Sequence, residues 1–484
     1  MIQENFIKIY EKSFKKNWEL PALTDYSKGT TFSFADVAKE IARIHILFEE
    51  CQIRRGDKIA LIGKDSARWC IVYMAAVTYG AIIVPILQDF SPNDVHHIIN
   101  HSESVFLFVS DRIWDAIWEH LEEERLAGLR AVFSLSDFRC LHQRDGESIQ
   151  KLLKGMDEKM AEKYPDGFGK DDIEYAELDN DKVVLLNYTS GTTGFSKGVM
   201  LTGNNLAGNV MYGIELGVLY RGERELCFLP LAHAYSCAFN FLVPMAVGAH
   251  VYLLGKVPSP KILLKAFEEV KPNLILTVPL ILEKIYKKMI LPQLSKTTMK
   301  VALNIPLLDP RIYAQIRKKL VDAFGGRFRE VIVGGAAMNE EVTNFLYKIK
   351  FPFTIGYGMT ECGPLISYDH NDEYVPGSCG QILKGIMKVR IDSEDPYNKV
   401  GEIQVSGENV MKGYYKNEEA TSKVFTEDGW LRTGDLGTID ADNRIYIRGR
   451  SKTMILGASG QNIYPEEIES KLNNLPFVME SIII

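Results

Sequence analysis

Residues 188–198 read YTSGTTGFSKG, directly after the apolar stretch VVLLN at 183–187. Glycine lets successive backbone N–H groups turn toward one centre. Ser and Thr hydroxyls add donors, and Lys197 supplies the one cation of the stretch. Such a concavity suits a polyphosphate. The order is not G-x-x-x-x-G-K-[ST], so this is not the usual NTPase phosphate loop. The bland alternative is a plain turn with an exposed lysine, but a turn needs far fewer such residues in succession. GYGMTECGP (356–364) sets Glu361 after Thr360, and a hard divalent cation takes oxygen ligands of this kind. TGDLG (433–437) offers Asp435, whose carboxylate can accept from two hydroxyls or cap its own turn. LPLAHAYS (229–236) carries His233. A lone histidine in an apolar setting is more often a satisfied core residue than a catalyst.

The elements that must hold these residues follow from the rest of the chain. At 484 residues it is too long for one ordinary core, so two or more domains are expected. Charged residues make up 25% and the formal charge is −7, which argues against a nucleic-acid groove. No polybasic block marks a membrane tether. The seven cysteines are scattered, with no CxxC pair. Free thiols in a reducing compartment fit best, which points to the cytoplasm. The N-terminus has charges throughout and no apolar core of a secretory signal.

Short apolar runs alternate with helical patterns over the first two-thirds of the chain. KIALIG, AIIVPI, SVFLFVS, KVVLLNYT, HVYLLG, NLILTVP and REVIVGG read as buried strands. The stretches 69–87 and 234–255 are long and apolar, but Gly80 and Pro85 interrupt the first and Asn240, Pro244 and His250 the second. The first reads as a buried helix, a Gly cap and a buried strand, not as a membrane span, and the second breaks the same way. After about residue 375, MKVRID, GEIQVSG and RIYIRGR alternate apolar and polar residues, as in an antiparallel sheet. From Lys452 a hairpin, a helix opening at Pro465 and a closing strand are expected. The polar stretch 141–181 reads as a mobile surface excursion.

With these motifs in hand, the chain resembles the adenylate-forming (AMP-binding) superfamily, in its fatty-acyl-CoA synthetase branch. YTSGTTGFSKGVML is similar to that family's phosphate loop, LPLAHAYS to its acyl-site motif and VGGAAM (333–338) to its adenine-side turn. GYGMTECGP resembles its magnesium motif, GWLRTGDLG (429–437) its ribose motif, and RIYIRGRSKTMILGASGQNIYPEEIE (444–469) its hinge. The motifs come in the family's order and cover nearly the whole chain. The resemblance implies an α/β fold: two mixed or parallel sheets covered by helices, and a distorted antiparallel β-barrel subdomain at about 375–450. Residues 1–450 would form the AMP-binding domain, and 451–484 the hinge and start of a small α+β domain.

The resemblance also implies the chemistry. A carboxylate attacks the α-phosphorus of ATP, pyrophosphate leaves, and the thiol of coenzyme A then displaces AMP. Thr189, Ser190, Gly191, Thr192, Thr193, Gly194 and Lys197 would cradle the phosphates, with Lys197 catalytic. Glu361 and Thr189 would hold Mg2+, and Thr360 would donate to the α-phosphate. Gly335, Ala336 and Ala337 would border the adenine, and Tyr357, between Gly356 and Gly358, would stack on it. Asp435 and Arg450 would take the ribose, and Lys452 would also reach ATP. His233 would place the acyl carboxylate, which is ionised at neutral pH and needs no general base.

The run Val278-Pro279…Glu283-Lys284-Ile285 is similar to one beside the acyl tunnel of fatty-acyl members. No Asp or Lys in LAHAYS or IGYGMTE suggests a site for an α-ammonium. Phe239, Phe241, Met245, Val331 and Val333 read as pocket lining or, for most of them, as core. A medium- or long-chain fatty acid is therefore the expected substrate. A fatty acyl–acyl-carrier-protein synthetase, an aryl-acid ligase and a non-catalytic acyl- or nucleotide-binding protein remain as alternatives. A homodimer and peripheral contact with the inner membrane surface are left open. In departure from the family, Phe195-Ser196 replaces a common Pro before the lysine, and Asn462 stands where some relatives have arginine. No K-x-x-x-G-K-like segment follows Pro465. Its lysine would bridge carboxylate and phosphate in the family, so the chain as given is expected to form acyl-adenylate poorly.

Overall fold

The computed structural model describes the chain except residues 1, 119–125, 127, 145, 190–195, 295–308, 452, 454, 457–461, 464, 473–477, 479, 480 and 484. Two compact units divide it. The first holds Met1–Pro258, Thr360–Pro364 and Met411–Thr421, and the second holds Ser259–Met359, Leu365–Val410 and Ser422–Ile484.

The first unit is built on a sheet of eight strands. Its order is Gly413–Tyr414, Lys197–Thr202, Val183–Thr189, Ile82–Ile86, Lys58–Ile62, Ser104–Val109, Ala131–Ser134 and Cys140–Gln143. The middle of the sheet is parallel, and both ends are antiparallel. A parallel centre must be covered on both faces, which explains why its strands read as unbroken apolar runs. On one face Val95, Ile98 and Ile99 of helix Pro92–Ser102 and Trp114 of helix Asp111–Trp118 pack on Val84, Leu107 and Leu186. On the other, Phe48 of helix Phe34–Glu50 packs against Phe106 and Phe108. Four further strands of this unit pair in the order Arg224–Cys227, His250–Leu253, Pro21–Asp25 and Thr30–Ser33.

The stretch 69–87 forms the buried helix and strand expected. Ser66 caps helix Ala67–Tyr79 by accepting from Trp69 N–H, Gly80 ends it at φ 90°, and strand Ile82–Ile86 follows. Only glycine takes such a left-handed angle without cost. The second apolar stretch breaks at Gly248, φ 84°, before strand His250–Leu253. Among the described residues no helix is long and apolar enough to cross a membrane.

In the second unit, Leu274–Thr277, Glu330–Val333 and Phe353–Ile355 run parallel. Tyr357–Gly358, Leu365–Tyr368 and Gln381–Ile382 form a small antiparallel sheet. Met387–Asp392, Gly401–Gly407, Leu431–Ile439 and Ile445–Arg450 form another. Strands Ile455–Leu456 and Asn462–Ile463 pair as a hairpin before helix Pro465–Leu472.

One expectation is corrected. Residues 141–181 are not a loose excursion. Helices Ser148–Lys154 and Met156–Lys163 occupy much of it, with Met156 and Met160 buried. Asp157 pairs with Arg43 at 2.7 Å and Lys163 with Glu49 at 2.6 Å, both partners lying on helix Phe34–Glu50. The closing strand expected after helix Pro465–Leu472 falls largely outside the described residues; within them Ile483 N–H donates to Glu469 Oε1 at 2.8 Å.

Candidate active site

The first unit gathers the polar groups expected to meet phosphate. Strands Val183–Thr189 and Lys197–Thr202 pair antiparallel, with Thr189 opposite Lys197 and Asn187 opposite Val199. Directly paired residues point to the same face, and side chains alternate along a strand. Asn187, Thr189, Lys197 and Val199 therefore share one face. Tyr188 and Gly198 lie on the other, where Tyr188 joins the apolar core. Ser190, Gly191, Thr192, Thr193 and Gly194, at the tip between these strands, lie outside the described residues.

Strand Gly413–Tyr414 adds to the edge, with Tyr414 opposite Val199 and so on the same face. The ring of Tyr414 carries Lys197 Nζ 5.0 Å from its centroid. Its hydroxyl donates to Glu361 Oε1 at 2.8 Å. Burial and the Glu361 charge push the Tyr414 phenol well above its ordinary pKa, so it stays a donor. Glu361 sits in the short turn Thr360–Cys362, and its backbone carbonyl accepts from Met411 N–H at 2.8 Å. The carboxylate thus has one oxygen engaged by a phenol. Among the described residues no group of three or more His, Cys, Asp or Glu could cage a metal ion. A single carboxylate suits a hard cation that keeps water and takes its other ligands from a polyphosphate, as Mg2+ does. The residues therefore fit the expected ion.

Asn187 reaches the acyl motif: its Nδ2 donates to the Ala232 carbonyl at 3.3 Å. The next residue, His233, stands exposed at the head of the short helix Ala234–Ser236. Although it keeps an open face, desolvation holds its pKa below the usual histidine value, with Asp89 pulling the other way. Two residues before His233, Leu231 N–H donates to Asp65 at 3.0 Å, and burial pushes Asp65 up to about 7. Ser236 bonds Asn240, which donates to Glu225 Oε1 at 2.7 Å. Phe239, Phe241 and Met245 are core.

The second unit carries the expected nucleoside residues. Tyr357 is buried, and its hydroxyl donates to Asp435 Oδ2 at 2.6 Å. Asp435 lies opposite Arg450 in the antiparallel pair, with Arg450 Nε 3.2 Å from its Oδ1. Backbone N–H of Asp435 donates to Thr433 Oγ1 at 3.1 Å, across Gly434, whose φ is 74° within strand Leu431–Ile439. Each carboxylate oxygen has two lone pairs, so Asp435 retains acceptor capacity. Gly335, Ala336 and Ala337 form an exposed turn after strand Glu330–Val333, with Gly335 at φ 89°. Val331 and Val333 are core, and Lys452 lies outside the described residues.

Sequence reading missed Tyr414, Asn187 and Asp65. Asn187 left a legible trace, a lone amide in a buried strand. Tyr414 left only an aromatic pair after Gly413, with nothing to say which strand it would join. A cavity of about 770 Å³ opens elsewhere in the first unit, over Ile44, Leu47, Ile71 and Phe108, and none of the candidate site residues lines it.

Comparison with known proteins bears on the family. The chain is 27% identical over 94% of its length to the long-chain-fatty-acid–CoA ligase FadD15 of Mycobacterium bovis, spanning 75% of that protein. It is 28% identical over 96% of its length to the 4-coumarate–CoA ligase CCL1 of Humulus lupulus, spanning 78% of it. In fold it is similar to ATP-bound MatB from Rhodopseudomonas palustris, with TM-score 0.77 and 23% identity over 99% of this chain and 86% of that one. The family described as AMP-binding enzyme matches residues 10–415. By that match the chain belongs to the AMP-binding enzyme family.

Proposed function

We propose that this chain, an adenylate-forming acid–CoA ligase by family, activates a medium- or long-chain fatty acid with ATP and passes the acyl group to coenzyme A. The observation that carries the reading is the shared face of Thr189, Lys197 and Tyr414, with Glu361 bonded to the same tyrosine. A cation and a carboxylate kept beside a Gly/Ser/Thr loop match a reaction between two anions, where charge must be neutralised and the attack aligned.

In the first half, a carboxylate oxygen bonds to the α-phosphorus and pyrophosphate leaves with its bridging oxygen. Lys197 offsets phosphate charge, the Thr360 hydroxyl donates to an α-phosphate oxygen, and Glu361 with Thr189 would hold Mg2+. When bound, that ion shields the repulsion between nucleotide and acid. Neutral His233 donates one hydrogen bond to the acyl carboxylate and orients it. Tyr357 and the turn Gly335–Ala337 receive the adenine, and Asp435 with Arg450 receives the ribose. In the second half the thiolate of coenzyme A attacks the acyl carbonyl and AMP leaves. The domain reading goes with this: residues 1–450 form the nucleotide-binding domain, and 451–484 the hinge and the start of a small α+β domain.

The relatives named as long-chain-fatty-acid–CoA ligases, from Mycobacterium bovis and Saccharomyces cerevisiae, support the fatty acid. The 4-coumarate–CoA ligase relative favours an aromatic acid as second reading. Acid-dependent AMP release and thioester formation separate the two, measured over graded straight-chain fatty acids and 4-coumarate, with coenzyme A or holo-acyl-carrier protein as acceptor. Turnover rising with chain length supports the proposal. Preference for 4-coumarate, or for the carrier protein, overturns it.

A further inference from the structure

Tyr414 touches both charged groups of the phosphate side at once. Lys197 Nζ lies over its ring at 5.0 Å, and its hydroxyl donates to Glu361 Oε1 at 2.8 Å. Its neighbours lock it there. Met411 N–H donates to the Glu361 carbonyl at 2.8 Å, Tyr415 N–H to the Gly198 carbonyl at 2.8 Å, and Tyr414 N–H to Thr421 Oγ1 at 2.9 Å. All of these residues lie in the first unit. Among the described residues no ion pair joins Lys197 to Glu361, although both touch the same side chain.

That separation has a chemical consequence. A lysine and a glutamate free to meet would neutralise each other, and substrate would have to break the pair before using either. An aromatic face attracts the ammonium without a competing charge. A phenol O–H engages one carboxylate oxygen and leaves the other for a cation. We propose that Tyr414 is a positioning residue that keeps Lys197 and Glu361 from pairing, presetting the ammonium for phosphate and the carboxylate for Mg2+. This rests on the nucleotide-binding reading above and adds a residue to it.

The test is equilibrium ATP binding by calorimetry, with Mg2+ and with EDTA, on the wild type and two variants. Tyr414→Phe keeps the ring under Lys197 and deletes the hydroxyl. Tyr414→Leu deletes both contacts. The Phe variant is expected to lose about tenfold of the Mg2+-dependent gain in ATP affinity, the equivalent of one hydrogen bond to a charged group, with its EDTA value near wild type. The Leu variant is expected to lose affinity under both conditions. A Phe variant with the wild-type Mg2+ dependence overturns the role of Tyr414 alone, and so does one weakened equally with and without Mg2+, the mark of a merely structural effect. A wild type that gains nothing from Mg2+ overturns both this inference and the nucleotide reading.

Discussion

Replacing Gly198 by alanine tests how tightly the base of the phosphate loop is built. Gly198 lies opposite Tyr188 in the strand pair. A Cβ there would stand 2.9 Å from Tyr188 Cζ, 3.2 Å from its hydroxyl and 3.3 Å from Cε1. Gly198 does not hold a left-handed backbone angle, so the penalty is steric alone. The ring has little room to yield. Tyr188 is 3% exposed in the core, bonds His101 Nδ1 at 2.8 Å, and meets the His101 ring edge-on at 5.8 Å. His101 is itself packed edge-on against Tyr415 at 5.7 Å. Overpacking of this kind costs about 1–3 kcal/mol, and losing the Tyr188–His101 bond adds about 1 kcal/mol. The expected total is about 2–4 kcal/mol, read as a lower denaturant midpoint of the first unit's transition with unchanged slope. Thr189 and Lys197 flank this pair, so ATP affinity falls as well. In a Tyr188→Leu background the same substitution is expected to cost less than about 1 kcal/mol, because the obstructing ring is gone. A Gly198→Ala protein that unfolds like wild type would refute the reasoning, as would a penalty undiminished by Tyr188→Leu.

Three further outcomes follow from the same contacts. Tyr357→Phe removes the hydroxyl 2.6 Å from Asp435, so ATP affinity should fall about tenfold while its Mg2+ dependence stays as in wild type; calorimetry with and without Mg2+ reads both. Glu225 is fully buried, its Oε2 has no partner among the described residues, and burial raises its pKa well above 4.5. A carboxyl raised in this way contributes most stability in acid and loses it as pH climbs past its ordinary value. Glu225→Gln should therefore gain stability over wild type at alkaline pH and not in acid, whereas Glu225→Ala, which strands Asn240, should cost about 2–4 kcal/mol in acid melts and less at alkaline pH. His45 is lowered by burial from 6.5 to about 4. Its folded form refuses a proton that the unfolded chain accepts, so stability is lost as pH falls from 6.5 toward 4. The loss reaches about 3 kcal/mol by the usual conversion, and unfolding midpoints of His45→Gln should show a flatter acid limb.

Local pattern made much of the fold legible. Unbroken apolar runs between helical segments announce covered parallel strands, because such strands have no solvent face to mark with polar residues. Gly80 announced a helix end, because few residues other than glycine take the left-handed angle there. The alternation of MKVRID and GEIQVSG showed a sheet with one solvated side. The stretch 141–181 misled because its composition is polar. Its helix Met156–Lys163 buries Met156 and Met160 and pairs Asp157 and Lys163 with Arg43 and Glu49, far back in the chain, and no local signal encodes such a pairing.

The candidate site divides along the same line. Residue types alone determined that this chain carries a loop of small donors with one lysine, an acid after Thr360 and another in the turn before Leu436, because chemistry is written in side chains and their spacing. Which groups meet was decided by tertiary structure. Val199 and Tyr414 are distant in sequence yet sit side by side because an edge strand completes its ladder with whichever segment the fold delivers. That delivery places one phenol between Lys197 and Glu361. No periodicity within either segment could specify it, since register between strands far apart in the chain is set by packing of the whole sheet.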